Sequence, residues 1–135
     1  MTAWPDATGT LELRDSTGPV SPRYQLDREV DVEVMRDGAI VRRRVRRGGG
    51  EVEQTVVRLD PAGRRALLDA LLDAGLTRLV PRKLGDAERA RIGVSFNHLA
   101  WSLGGVSGRV EYLPTYLRSD EAGTLRDVLH VLTRE

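Results

Sequence analysis

The residues best suited to bind a charged ligand are the arginines at positions 42–47. Five of these six positions are arginine, namely Arg42, Arg43, Arg44, Arg46 and Arg47. Guanidinium groups bind phosphates and carboxylates through paired hydrogen bonds, so a run of this kind can form a nucleic-acid patch. The chain as a whole has a formal net charge of only +1. This balance favours a solvated sheet face on which acidic neighbours match the arginines.

Residues 28–59 alternate valines with charged residues, which predicts a three-stranded antiparallel meander. A two-residue turn at Asp37-Gly38 pairs Val34 with Val41, and a second turn at Gly48-Gly49 completes the meander. The opposite face then matches acids with arginines: Glu33 with Arg42, Asp31 with Arg44, Glu29 with Arg46, Arg44 with Glu53 and Arg46 with Glu51. Such pairs specify the register of the strands but contribute little to the stability of the sheet.

The same register leaves arginines on the valine-lined face of the sheet. Arg43 falls between Val32 and Gln54, and Arg28 lies opposite Arg47. Charged side chains on an inner face are costly unless they are paired or solvated. Either this end of the sheet extends beyond the helices and is solvated, or these residues form a functional surface. In the second case Arg28, Arg43 and Arg47, with Gln54, form a concave cationic patch that accepts an acidic segment or a phosphate.

The remaining polar residues do not form a catalytic or metal-binding pattern. Gly104-Gly105 and Gly108 are spaced like part of a phosphate-binding loop, but a strand rather than a helix is predicted to follow them. Ser95 or Ser102, with His98 and an aspartate, would supply a triad, but no spacing supports one. The chain has two histidines and no cysteine, which does not fit a usual structural zinc site. We therefore expect no catalytic, cofactor-binding or metal-binding residues.

The elements that must position these side chains follow from periodicity and from turn residues. They are a strand at 8–14, a loop at 15–22, the charged meander, a helix from Asp60-Pro61 to Gly75, alternating residues at 92–103, a strand at 109–113 and a helix from 119 or 120 to 133. We expect one α+β domain over residues 1–135, with 1–23 as an N-terminal strand and loop extension. Its mainly antiparallel sheet is predicted to be a meander of about six to seven strands, with two helices packed on one face.

Composition limits the class of protein further. The 135 residues are 40% hydrophobic and 30% charged, which fits a folded globular domain rather than a disordered chain. The sequence contains no apolar run long enough to span a membrane, so we expect no membrane association. Because cysteine is absent and the first residues lack the pattern of a signal peptide, we expect the cytoplasm.

The predicted first helix has a distinctive exit. Residues 67–81 read Leu-Leu-Asp-Ala-Leu-Leu-Asp-Ala-Gly-Leu-Thr-Arg-Leu-Val-Pro, and alternating strands and a closing helix follow. From Asp31 onward this order resembles the emfourin-type inhibitors of metalloproteases and related uncharacterised small bacterial α+β domains. The resemblance implies a protein inhibitor. The chain departs from the family at its glycine-phenylalanine hairpin, where Asp37-Gly38 lies in a charged meander, so no inhibitory residue is assigned.

Three functional hypotheses follow. The first is a non-catalytic protein-binding module: an inhibitor, an adaptor or a small subunit of a larger bacterial assembly, with Trp4, Tyr116 and Leu117 as candidate apolar anchors for another protein. The second is nucleic-acid or anionic-ligand binding through the Arg-rich strand 42–47, with affinity that falls steeply as salt rises. The flanking carboxylates argue against the nucleic acid. The third is an enzyme of unknown class, which would need a deep pocket lined by His98, Ser95 and a carboxylate.

Overall fold

The computed structural model describes residues 6–16, 25–86 and 97–134, and within them it is an α+β structure. Its elements are β1 (Gly9–Ser16), β2 (Leu26–Met35), β3 (Gly38–Arg47), β4 (Val52–Leu59), α1 (Pro61–Ala74), β5 (Asn97–Leu103), β6 (Val106–Tyr112) and α2 (Gly123–Thr133). Short 3-10 segments lie at Leu76–Arg78, Pro114–Arg118 and Asp120–Ala122. The predicted class is confirmed, and the strands form one antiparallel sheet.

The strand order is β4-β3-β2-β1-β5-β6, so the predicted continuous meander is only partly right. The first four strands do form a meander, but β5 then joins the sheet beside β1 instead of continuing from β4. In this pairing Leu11 lies opposite Trp101 and Leu13 lies opposite Leu99, and all four side chains are buried. β4 is therefore left at one edge of the sheet.

The β2–β3 turn is at Arg36-Asp37, with Met35 opposite Gly38, and the predicted turn at Asp37-Gly38 is wrong. Every pair shifts by two residues, so Val30 rather than Val32 lies opposite Arg43. Because the shift is even, each side chain stays on its predicted face. The reason for Gly38 is steric: a Cβ atom there would lie 2.6 Å from the carbonyl oxygen of Leu59 in β4.

The β3–β4 pairing differs from the prediction by one residue. Arg46 lies opposite Val52, Gln54 lies opposite Arg44, and Val57 lies opposite Val41. The loop between the strands is longer than two residues and contains two glycines at positive φ, Gly48 and Gly49. An odd shift exchanges the two faces of a strand. The even-numbered residues of β4 therefore lie with the outer arginines, and the odd-numbered residues lie on the inner face.

The first helix begins and ends as its sequence predicts. The Asp60 side chain accepts a hydrogen bond from the Gly63 amide at 2.8 Å, and Pro61 occupies the first turn. Gly75 ends the helix in the left-handed region at φ 102°. In the described part of the chain, no helix has both the length and the apolar character that crossing a membrane requires.

Both helices contribute to a single apolar core with one face of the sheet. The helix residues in this core are Leu68 and Leu71 of α1 and Leu125, Val128, Leu129 and Leu132 of α2. Full burial of each such side chain stabilises the fold by about 1.5–3 kcal/mol. Strands β1 to β3 contribute alternating residues to the same core, from Leu11 to Val41. The other face of these strands carries the charged residues.

The two edges of the sheet differ. At β6, Arg82 covers part of the edge: its amide donates to the Arg109 carbonyl at 3.0 Å, and its carbonyl accepts from the Glu111 amide at 2.8 Å. β4 has no neighbour on its outer side in the described part of the chain. An uncovered edge presents unpaired N–H and C=O groups that can pair with another chain.

Candidate functional site

Three of the four predicted patch residues lie together in the structure. Arg28, Arg43 and Arg47 line a cavity of about 170 Å³ at one end of the inner face, which we call the arginine cavity. Glu53 and Thr55 of β4 and Thr133 of α2 also line this cavity. Gln54 is not among them. Because it lies opposite Arg44, its side chain belongs to the outer face, and its predicted place in the patch is wrong.

Arg43 is positioned by the end of α2. Its Nε donates a hydrogen bond to the carbonyl of Leu132 at 2.9 Å, and its side chain is half-buried. The last carbonyls of a helix have no partner within the helix, and a cation at that end is favourable. The positive charge on the inner face therefore has a structural role, because it caps the closing helix.

The charge of Arg28 is neutralised by the buried carboxylate of Asp15. Its Nε donates to Asp15 Oδ2 at 3.0 Å, and its Nη2 pairs with the same oxygen. The other oxygen of Asp15 accepts a hydrogen bond from the Tyr112 hydroxyl at 2.7 Å. Burial and the adjacent Asp15 charge raise the pKa of Tyr112 well above its ordinary value of 10.0, so the phenol stays neutral and acts as a donor.

Arg47 supplies the accessible charge of the cavity. It is exposed and makes no ion pair with the described residues, whereas Glu53 is the acidic side chain on the same side of β4. Thr55, the β4 residue opposite Arg43, has a short side chain. Arg47 and Glu53 therefore place one exposed charge of each sign on the inner surface beside β4.

β4 is exposed along nearly its whole length. Residues 52–58 are all exposed, including Val52 at 38%, Val56 at 49% and Val57 at 41%. An edge strand that presents apolar side chains and an unpaired backbone is a template for another strand. Sequence reasoning missed this surface because the predicted register directed Val52 and Val56 toward the core. We call the side of Val52–Leu59 that faces away from β3 the β4 edge.

The outer face of the sheet carries charge matching of the predicted kind. Arg42 lies 3.9 Å from its predicted partner Glu33, whereas Arg44 lies 3.5 Å from Glu29 instead of the predicted Asp31. Arg14, which the sequence did not single out, lies 3.2 Å from Asp31. These side chains are about 30–51% exposed, so the ion pairs fix geometry more than they stabilise the fold.

The predicted apolar anchors are not free surface groups where the structure describes them. Tyr116 and Leu117 lie in the 3-10 segment Pro114–Arg118 and are partly buried against the core. The Tyr116 ring also lies under the guanidinium of Arg82, with Cζ 4.0 Å from the ring centroid. Both residues are thus used inside the fold rather than projecting from it. Trp4 lies outside the described residues.

The residues considered for catalysis do not come together in the described part of the chain. His98 lies beside Glu12, with Nε2 3.3 Å from Oε2, on the outer face of β5. Burial lowers the pKa of His98 below 6.5, although the hydrogen bond to Glu12 opposes this shift. Ser95 is outside the described residues. Gly104 and Gly105, both at positive φ, form the turn between β5 and β6, which begins at Val106 rather than at the predicted position 109. No metal-binding group of acids and histidines occurs within the described ranges.

Comparisons of the chain with protein-family models, curated proteins and solved structures found no match. The resemblance to the emfourin-type inhibitors therefore stays a prediction. What the geometry offers is an uncovered strand edge with exposed valines, beside a cavity lined by arginines and glutamates. These features are the physical basis for a functional assignment.

Proposed function

We propose that this protein is a non-catalytic protein-binding module that receives an extended segment of another protein along the β4 edge. The observation that carries the proposal is the exposure of β4, where the apolar side chains of Val52, Val56 and Val57 flank an unpaired backbone. Strand addition at such an edge gains affinity from main-chain hydrogen bonds and specificity from alternate side chains. An inhibitor, an adaptor and a small subunit of an assembly all act by binding of this kind.

Charge defines the chemistry of the incoming segment. Arg58 lies on the outer face of β4, is exposed and makes no ion pair with the described residues, whereas Glu53 lies on the inner face. An added strand directs alternate side chains to the two faces of the sheet. Acidic side chains on the outer face of the added strand lie near Arg58, and apolar side chains on its inner face pack beside Val57. The favoured partner segment therefore alternates acidic and apolar residues.

The alternatives have less support. A nucleic-acid interface needs surplus positive charge along one surface, whereas Arg42 and Arg44 already lie near carboxylates. An enzyme needs a nucleophile or an acid–base pair in a cavity, and the polar groups of the arginine cavity are guanidinium groups, Glu29, Glu53 and two threonines. The strand-addition proposal uses the exposed β4 valines, which neither alternative explains.

A peptide titration tests the proposal. A short synthetic peptide of alternating glutamate and valine is added to the 15N-labelled protein, and its affinity is measured from amide chemical shifts. We expect shifts concentrated in β4 and β3. We expect Arg58→Glu to weaken binding about tenfold, since it replaces a charge-assisted contact by repulsion. Arg65→Glu is the matched control: Arg65 lies on α1, is 65% exposed and is 3.9 Å from Asp69.

The outcomes separate clearly. Equal affinities for Arg58→Glu and Arg65→Glu would remove the charge argument and leave only backbone pairing. Shifts that avoid β4 altogether would contradict the proposal. A scrambled peptide that keeps the composition but breaks the alternation should bind more weakly, because its acids then fall on both faces of the sheet.

A further inference from the structure

A second cavity, of about 380 Å³, lies between α2, β6 and the segment that follows α1. Its apolar surface includes Val110 and Leu125, which belong to the core. Its polar groups include Arg78, Arg82 and Glu121, and the Tyr116 ring forms part of its wall. The volume lies at the lower end of the range for sites that bind small molecules, which are mostly apolar with a few convergent polar groups. We call it the Arg82 cavity.

Arg82 is held in a fixed orientation. Its backbone forms hydrogen bonds to Arg109 and Glu111 on β6, and its guanidinium is stacked on the Tyr116 ring at 4.0 Å from Cζ to the ring centroid. Tyr116 is fixed in turn, because its amide donates to the Leu113 carbonyl at 2.9 Å. A stacked guanidinium keeps its donors in one plane, which suits a planar acceptor.

The charge on Arg82 lacks a counter-ion in the described part of the chain. Its Nη1 is buried and has no hydrogen-bond partner among those residues. A buried charged donor without an acceptor costs free energy, and burial of a charge is tolerated when an anion neutralises it. Because Arg82 lines an open cavity, an anion bound there would supply the missing charge.

The other polar groups restrict the kind of anion. Glu121 lines the same cavity and repels multiply charged ligands, whereas Arg78 adds a second cation on an exposed position. The apolar walls at Val110 and Leu125 favour a hydrophobic body over a hydrated inorganic ion. A single carboxylate matches the planar guanidinium through two parallel hydrogen bonds.

We propose that the Arg82 cavity binds a small organic monocarboxylate, with the carboxylate on Arg82 and an aromatic or aliphatic body against Val110 and Leu125. This site is separate from the β4 edge and does not depend on the proposed function. Its ligand class is set by one oriented guanidinium, an apolar wall and a repelling carboxylate.

An NMR titration of the full chain with benzoate, at constant ionic strength, tests the proposal. We expect saturable shifts at Val110, Tyr116 and Leu125. Benzyl alcohol, which has the same ring without the charge, should bind about tenfold more weakly, and inorganic phosphate should not produce these shifts. Arg82→Gln should weaken benzoate binding about tenfold. Arg118→Gln, an exposed arginine in the neighbouring 3-10 segment, is the matched control and should not change it.

A variant at an exposed position keeps the test decisive if Arg82→Gln fails to fold. Glu121→Gln removes the repelling carboxylate from an exposed residue, so benzoate should bind several-fold more tightly. Equal binding of benzoate and benzyl alcohol would overturn the proposal. So would shifts confined to other parts of the protein, phosphate binding at the same residues, or a Glu121→Gln variant with unchanged affinity.

Discussion

Arg43 Nε and the carbonyl oxygen of Leu132 lie 2.9 Å apart, joining the central arginine strand to the last turn of the closing helix. This contact gives an inner-face charge a structural partner, and it sets the position of the arginine cavity. It also separates the roles of two neighbouring arginines. Arg43 supports the helix, whereas the exposed Arg47 is available to a partner.

Arg43→Gln should destabilise the fold by about 1–2 kcal/mol, because the helix carbonyl loses a charged donor and α2 loses its cation. Arg44→Gln, on the outer face, should cost less than about 0.5 kcal/mol, since its ion pair to Glu29 is half-exposed. Urea denaturation followed by circular dichroism measures both values. Equal losses in the two variants would mean that the Leu132 contact has no special role.

Tyr112→Phe should cost about 1–3 kcal/mol, because it leaves the buried Asp15 carboxylate without one of its donors. Tyr116→Phe is the matched control, since it removes a hydroxyl from a partly buried ring that has no hydroxyl contact to a described residue. Thermal unfolding of both variants makes the comparison. A smaller loss for Tyr112→Phe than for Tyr116→Phe would contradict the role given to the Asp15 network.

Stability should depend on pH through His98. Burial lowers the folded-state pKa of His98 below 6.5, so the unfolded chain binds this proton first as the pH falls. Above 6.5 both states are neutral and His98 adds no dependence. Below 6.5 the free energy of unfolding should decrease until the pH reaches the folded-state pKa.

The variant His98→Gln should lack this contribution, and it keeps the groups that face His98, namely Glu12, Arg14 and Arg109. The measurement is the difference in unfolding free energy between the two proteins at several pH values. A difference that is constant between neutral pH and the acid side of 6.5 would show that the histidine is not perturbed by burial.

Gly38→Ala should destabilise the fold by about 1–3 kcal/mol, because the new Cβ atom would lie 2.6 Å from the Leu59 carbonyl oxygen. Gly123→Ala should instead stabilise it by about 0.5–1 kcal/mol. Gly123 has helical φ and ψ of −54° and −50°, and its nearest surrounding atom would be 3.8 Å from the new Cβ. Chemical denaturation measures the change in the free energy of unfolding for both variants. No change for Gly38→Ala would argue against the close approach of β3 and β4.

Gly38 also shows how far the sequence determines this fold. Alternation of valines and charges predicts correctly which side chains of β2 and β3 lie on each face, because the two-residue period survives an even shift. It does not locate the turn. Glycine beside aspartate is typical of a type I′ turn, whereas here Gly38 is needed where the β4 backbone approaches, a contact distant in sequence.

Two other features depend on similar long-range contacts. The pairing of β5 with β1 brings together residues about ninety positions apart, and local periodicity contains no information about it. Asp15 was predicted to begin a loop, yet it continues β1 in phase with Leu11 and Leu13 and is buried beneath Arg28. The shared phase of Asp15 with Leu11 and Leu13 was the sequence signal from which the burial of Asp15 beside Arg28 could have been predicted. The patch residues were predicted from their shared parity, and Gln54 was misplaced because the β3–β4 register changed by one.

The central claim is that a partner strand pairs with the β4 edge, and amide hydrogen exchange tests it most directly. Exchange of the Val52–Leu59 amides is compared with and without the alternating glutamate–valine peptide. Only the β4 amides that point away from β3 should gain protection, because the amides that point toward β3 already pair with it. The account would be contradicted if, at saturating peptide, the β4 amides that point away from β3 exchanged at an unchanged rate. It would also be contradicted if protection were gained mainly at β6.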